Sequence, residues 1–326
     1  MKKERTIMKK ILALMLAVLL LASMTACSGN TSASGKYVIG ICQYMPHDAL
    51  DAATQGFKDA VEAGLGKENV TFKEQNAAGE ITNCTSIISS LVSGKVDLIM
   101  ANATSALVAA ANATETIPVL GTSVTEYGVA LGIKDFNGTV GGNVSGTSDL
   151  ADLDKQAQMI LDWCPAAKKV GLLFCNAEPN SKYQVDKVEE YLTKKGIECR
   201  QFGFADTNEM TNVTTAAADW SDAIYVPTDN VVANNASSIY DICKPKNVPI
   251  IAGEENTCKG CGIATMSISY YELGYTTGEM AVKILKGEAN ISEMPIGYAP
   301  APAYKYNETI CKELGIIPLD GYAKIG

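Results

Sequence analysis

Tyr37-Val-Ile-Gly-Ile-Cys42 is followed, after a short polar loop, by Asp48-Ala-Leu-Asp51 and a segment of helical period that runs to Gly64. The first piece is short, apolar and β-branched, as a buried strand is. The second is long enough for a helix. The pair repeats along the chain. Further strand candidates are Val70–Gln75, Val96–Ala101, Ile117–Gly121, Lys169–Phe174, Ile197–Phe204, Ala223–Val226, Val248–Ala252 and Gly262–Ser267. Helical candidates lie at Glu80–Gly94, Thr104–Glu115, Asp152–Trp163, Ser181–Lys195, Asn208–Asp219, Asn230–Lys244 and Tyr270–Gly287. Gly94 and Gly196 read as helix stops, and Asp48 and Asn230 as N-caps. Strand–helix alternation of this kind predicts α/β architecture, with parallel sheets flanked by helices on both faces. No GxGxxG follows Tyr37–Cys42 and no GxxxxGK[ST] occurs, so the dinucleotide and P-loop readings lose their support.

The 326 residues exceed what one hydrophobic core usually holds, so two modules are expected, one ending near residue 145 and one starting at Lys169. In open α/β sheets the ligand sits beyond the carboxyl ends of the strands. That rule selects Gln43-Tyr44, Asn102 to Thr104, Thr122-Ser123, Asn176 to Ser181, Pro227 to Asn230 and Gly253 to Asn256. Strand ends are polar in any case because loops are wet, and the weight here comes from six such junctions together.

The N-terminus carries Lys2, Lys3, Arg5, Lys9 and Lys10, then an apolar run from Ile11 to Leu21 that is too short to span a bilayer. It ends in Met24-Thr25-Ala26-Cys27, which resembles the bacterial lipobox. That resemblance makes residues 1–26 a lipoprotein signal peptide and Cys27 the lipidated first residue of the mature chain. Residues 27–35 are rich in Gly and Ser, and read as a flexible tether. Residues 1–26 hold five of the 27 basic residues and one of the 36 acidic ones, so the remainder carries 22 against 35, a net charge of −13. Such a balance opposes binding to nucleic acid or to an anionic membrane surface.

After Cys27, nine cysteines remain, mostly inside apolar runs, where a free thiol behaves as a small hydrophobe. Cys258-Lys-Gly-Cys261 stands apart. It reads as thiols without a role, as a local disulfide or, last, as half of a metal site. His47 is the only histidine, which excludes His-dependent triads and multi-His metal centres. No metal or cofactor is expected.

The junction segments carry a family resemblance. Ile39-Gly-Ile-Cys-Gln43 with His47-Asp-Ala-Leu-Asp51, Glu178-Pro-Asn-Ser181, Val226-Pro-Thr-Asp-Asn230, Ile251-Ala-Gly-Glu-Glu255, and Tyr270-Tyr-Glu-Leu-Gly274 with Thr277-Gly-Glu-Met-Ala281 resemble, in order and spacing, the ABC-importer substrate-binding lipoproteins associated with tryptophan and tyrosine. The resemblance covers roughly residues 36–300. Cys258 and Cys261 depart from it, and so does Gly121-Thr-Ser-Val-Thr125, where the family pattern is Val-Thr-Asp-Pro.

The resemblance implies a two-lobe periplasmic-binding-protein fold of type I with three crossings between lobes, near Val144–Thr147, Thr265–Ser269 and Ile296–Ala299. Lobe one would be residues 36–146 and 268–296, and lobe two residues 147–266 and 297–326. It implies a monomeric, non-enzymatic receptor outside the cell membrane that closes on an aromatic amino acid and delivers it to an ABC permease and its ATPase. A receptor for a membrane signalling protein is the alternative, as is a binding protein for another amino-acid-like solute. An exported enzyme would need a catalytic constellation, and the sequence offers only scattered carboxylates and thiols.

Within the junctions, Gln43, Asn102, Thr122, Asn180 and Asn230 offer amide or hydroxyl groups. Tyr44 and Tyr270 offer aromatic faces. Thr104, Ser123 and Ser181 stand near helix starts, where hydroxyls and free N–H groups suit a carboxylate. Asp229 and Glu254 suit an ammonium. The sharpest expectation puts the ligand amine on an accessible Asp229, its carboxylate on Thr104 or Ser123, and its ring on Tyr44. His47 either borders the ligand or caps the helix that starts at Asp48.

Overall fold

The computed structural model describes residues 37–298 and 301–325. The signal segment, the tether and Cys27 lie outside them. Two sheets organise the chain. The first contains β1 (Tyr37–Gln43), β2 (Val70–Asn76), β3 (Leu98–Asn102), β4 (Val119–Val124), β5 (Val144–Ser148) and the short β11 (Gly297–Tyr298), in the order β11-β5-β4-β3-β1-β2. All its ladders are parallel. The second contains β6 (Lys169–Cys175), β7 (Glu198–Phe204), β8 (Ala223–Val226), β9 (Ile250–Ala252), β10 (Ala264–Ser267), β12 (Ala303–Tyr306) and β13 (Ala323–Lys324), in the order β13-β12-β10-β9-β8-β6-β7. Only β12 runs antiparallel to its neighbour β10. Every residue of β3 and β4 is buried, as expected of central strands covered by helices on both faces.

Each sheet with its helices forms a lobe. In the first, α1 (Asp48–Leu65) follows β1, α2 (Ile81–Ser93) follows β2, α3 (Thr104–Ala113) follows β3, and the short α4 (Tyr127–Leu131) follows β4. The chain enters the second lobe at α5 (Leu153–Trp163) and continues through α6 (Pro179–Lys194), α7 (Thr207–Trp220), α8 (Asn230–Asn234), α9 (Ala236–Cys243) and α10 (Glu255–Gly260). It then returns to pack α11 (Tyr270–Leu285) along α1, and ends with α12 (Glu308–Glu313) in the second lobe. This is the two-lobe, type I architecture. Among the described residues no helix is long and apolar enough to cross a membrane.

Two local expectations are corrected. Val144–Thr147 is not a crossing but most of β5, paired with β4, and the chain leaves the first sheet only after Ser148. Gly146 within it serves packing: it has φ +146°, and a Cβ there would stand 2.1 Å from the Gly121 carbonyl oxygen. The single helix expected over Asn230–Lys244 is two, broken at Asn235 (φ −121°, ψ 16°), whose side-chain amide donates to the Val231 carbonyl at 2.7 Å. Asn so placed offers the backbone an alternative to the helical ladder.

One apolar cluster joins the lobes. It runs from Tyr44, Met45 and Cys84 in the first to Cys175 and Phe204 in the second, so the two strand-end faces are shut against each other.

Candidate functional site

The strand order reverses between β1 and β3 in one sheet and between β6 and β8 in the other. At such points the loops leaving adjacent strands diverge and open a crevice. The two crevices face each other, and in the closed molecule they enclose a cavity of about 10 Å³, close to the volume one water needs. His47, Ser123 and Thr125 line it from the first lobe, Asn180, Thr228, Asp229, Asn230 and Glu254 from the second, and Asp149 and Tyr270 from the crossings.

Six of the twelve residues singled out in the sequence meet at this wall: Ser123, Asn180, Asp229, Asn230, Glu254 and Tyr270. The other six stand behind or beside it. Gln43 is buried, with its side-chain amide donating to the Met45 carbonyl at 2.9 Å and to Asp51 Oδ1 at 2.6 Å, while its Oε1 accepts from Thr54 at 2.6 Å. It ties β1 to α1. Asn102 does similar work, donating to the Leu50 carbonyl at 2.8 Å and to Thr54 Oγ1 at 3.0 Å. Thr122 meets the Thr147 hydroxyl at 3.3 Å. Ser181 donates to the Thr228 carbonyl at 3.5 Å, just behind the wall. Tyr44 is buried, and its phenol is pushed above its usual range by burial and by the charges of Glu178 and Asp229. Thr104 lies on a separate groove of about 590 Å³ with Ile81, Val108, Ala177 and Pro179.

The expectation of an accessible Asp229 is corrected. Its side chain is 1% exposed. Oδ2 accepts the Cys175 backbone N–H at 2.7 Å, and Oδ1 accepts the Val232 N–H at 2.9 Å, so the carboxylate caps α8. Glu254 caps α10, accepting from the Asn256 N–H at 2.6 Å and from the Thr257 N–H and hydroxyl. Glu178, just behind the wall, accepts from the Val231 N–H, the Asn180 and Asn230 amides and the Asn230 N–H. Burial raises the pKa of both Glu178 and Asp229, and the Asp229 charge raises that of Glu178 further.

Asp149 differs. It is 5% exposed, and its Oδ2 accepts from the Tyr270 hydroxyl at 2.9 Å, while its Oδ1 is buried with no partner. Burial pushes its pKa up to about 6, against the pull of the Tyr270 hydrogen bond. His47 occupies the N-cap of α1, but its side chain makes no capping bond. Instead its Nε2 meets Asn230 Oδ1 at 3.1 Å, across the cleft.

The orphaned polar atoms mark the site. His47 Nδ1, Ser123 Oγ, Asp149 Oδ1 and Asn180 Oδ1 are all buried without a hydrogen-bond partner, and all four residues line the one cavity. Unmet buried groups cost roughly 1–3 kcal/mol each, so their convergence needs a ligand or water to answer it. Carboxylate and amide oxygens can only accept, so the demand is mainly for donors. No Lys or Arg lies among the described lining residues. Sequence reading missed Asp149 because β5 was not recognised as a strand, so its carboxyl end was never searched. The nine cysteines of the described residues are free thiols, Cys258 and Cys261 both buried. No metal-binding cluster of His, Cys, Asp or Glu occurs among the described residues.

The chain is similar to known proteins along most of its length. The family model described as "ABC transporter substrate binding protein" matches residues 38–321. A tyrosine-binding protein of Clostridioides difficile (strain R20291) is 35% identical over 320 residues, covering 94% of this chain and 92% of that one. The structure of an ABC domain in complex with L-Trp from Streptococcus pneumoniae superposes with a TM-score of 0.85 at 29% identity, covering 90% of this chain and 100% of that one. The ligand-free, open structure of a substrate-binding protein with adhesive properties from Clostridium difficile gives 0.68 at 37% identity, covering 89% and 99%. The match runs through both lobes and every loop of the cavity wall: this chain belongs to the ABC transporter substrate-binding protein family, whose members are solute receptors and not enzymes.

Proposed function

We propose that the protein is the extracytoplasmic, lipid-anchored receptor of an ABC importer for an aromatic amino acid. The observation that carries the ligand class is the set of orphaned acceptors on the cavity wall, with Asp149 Oδ1 foremost. An α-ammonium brings three N–H donors and the positive charge that a wall without Lys or Arg lacks. The Ser123 hydroxyl is free to donate to the ligand carboxylate. That the relatives include a tyrosine-binding protein and an L-Trp complex supports an aromatic side chain. In this reading Asp149 takes the amine in place of Asp229. Asp229, Asn230, Asn180, Glu254 and Tyr270 shape the pocket, and Gln43, Asn102, Thr122 and Ser181 hold its walls in place.

The lobes would act as domains hinged where the chain passes between the sheets, at residues 149–152 and 268–269 and between β11 and β12. The permease and its ATPase would be the partners of the closed, ligand-loaded monomer. Lys2 to Lys10, the run Ile11–Leu21 and Ala26-Cys27 support export and anchoring through Cys27. One experiment reads both halves of the proposal. Cells grown with labelled palmitate should yield a labelled protein that binds L-tyrosine or L-tryptophan in titration calorimetry, and Cys27→Ser should bind equally without the label. Binding of neither amino acid would sink the ligand class, and label retained in Cys27→Ser would sink the anchor.

A further inference from the structure

The cavity wall selects between the two tautomers of its neutral histidine. Both Glu178 oxygens accept backbone N–H groups, from Asn230 at 3.1 Å and from Val231 at 3.1 Å. The Asn230 side chain turns its Nδ2 to Glu178 Oε2 at 2.7 Å, which leaves Oδ1 toward His47 Nε2 at 3.1 Å. An amide oxygen only accepts, so His47 Nε2 carries the proton. In a neutral imidazole Nδ1 is then a bare acceptor. That nitrogen is buried, unpartnered and on the cavity wall. His47 belongs to the first lobe and Asn230 to the second, so only closure sets this arrangement.

In the reading above, the amine of the ligand goes first to Asp149. Asp149 is the lining carboxylate with an oxygen left free, since those of Asp229 and Glu254 are taken by their helix caps. The pairs Asp149–Tyr270 and His47–Asn230 share no hydrogen bond. Nδ1 calls for a donor of its own, which the ring of the ligand can bring. A phenol O–H or an indole N–H supplies one, and a benzyl ring does not.

We infer that His47 is a specificity residue: its Nδ1 accepts a hydrogen bond from the polar edge of the ligand ring, so that closure admits a phenol- or indole-bearing amino acid and rejects phenylalanine. This rests on the aromatic-amino-acid reading above. A ligand without the donor leaves the acceptor buried and unpaired, the situation in which polar sites discriminate most strongly.

The test is titration calorimetry of L-tyrosine, L-tryptophan and L-phenylalanine on the wild type and on His47→Leu. The wild type should bind the tighter of tyrosine and tryptophan at least about tenfold more strongly than phenylalanine. His47→Leu should bring that ligand down to the level of phenylalanine while phenylalanine holds or gains. Equal wild-type binding of phenylalanine and the tighter donor-bearing ligand would overturn the inference and leave the aromatic reading intact. So would an equal loss for all three in His47→Leu, since that is what a side chain that merely holds the lobes together would give. Binding of none of the three would overturn the aromatic reading and this inference with it.

Discussion

Asp149 and Asp229 are both buried at one cavity wall, and their partners give them opposite roles. Asp229 receives backbone N–H groups on both oxygens, so its charge is answered inside the fold. Asp149 receives the Tyr270 hydroxyl on one oxygen and nothing on the other, and burial holds its pKa near 6. An ammonium can pair only with the ionised form. Below pH about 6 the carboxyl must first give up its proton, so the apparent affinity should fall by up to about tenfold for each further pH unit. In the ligand-free protein the sign reverses. A folded-state pKa above the unfolded value means that stability from this group is fullest below pH about 4 and declines as the pH rises through 6. Asp149→Asn should therefore bind about thirtyfold or more weakly at pH 7, with little pH dependence left, yet be at least as stable as the wild type there. Calorimetry at pH 5 and pH 7, with urea unfolding beside it, reads both. Undiminished binding by Asp149→Asn would return the amine to another residue.

Between α1 and α11 the sequence places glycines where the helix backbones come closest. A Cβ on Gly274 would stand 1.9 Å from the Ala53 carbonyl oxygen, and one on Gly278 would stand 2.6 Å from the Ala60 Cβ. This pair matters to the site because α11 begins at Tyr270, the partner of Asp149, and α1 begins beside His47. Ala is the better helix former by about 1 kcal/mol. Here the clash is with backbone, which has little room to give, and overpacking of this kind costs about 1–3 kcal/mol or more. Gly274→Ala should accordingly lower the urea midpoint, and a raised midpoint would mean that the helices can part freely. Elements of this sort were legible in the sequence where period and length agreed, as in Asp48–Gly64 or Tyr270–Gly287. Val144–Ser148 was not legible, because Ser145-Gly-Thr-Ser148 lacks apolar residues and its burial comes from neighbours on both faces. The site was half legible for the same reason. The strand-end rule finds positions, but whether a polar side chain faces the cavity, as Ser123 does, or braces a helix, as Gln43 does, depends on partners distant in sequence.

The whole molecule stands closed. It superposes better on the L-Trp complex (TM-score 0.85 at 29% identity) than on the ligand-free open structure (0.68 at 37% identity), although the second relative is nearer in sequence. Kinship alone does not order the two, and the first is described as a complex while the second is described as ligand-free and open. The cavity of about 10 Å³ cannot hold an amino acid, since small-molecule pockets run from roughly 300 Å³ upward. Entry therefore requires the lobes to part. A ligand that touches both of them then favours the closed form by the difference in its affinity for the two states. Across the cleft lie the His47–Asn230 bond, the apolar cluster that includes Tyr44 and Cys175, and the packing of α4 on α6 and of α1 on α10. Solution scattering should give the ligand-free protein a radius of gyration above that calculated from this closed structure, and saturating L-tyrosine or L-tryptophan should bring it down toward that value, short of it by the widening the cavity needs to hold the ligand. His47→Leu should shift the ligand-free average further toward the open form. A radius already at the closed value without ligand, and unchanged on its addition, would show that the lobes do not part in solution, and capture by hinge closure would have to be given up.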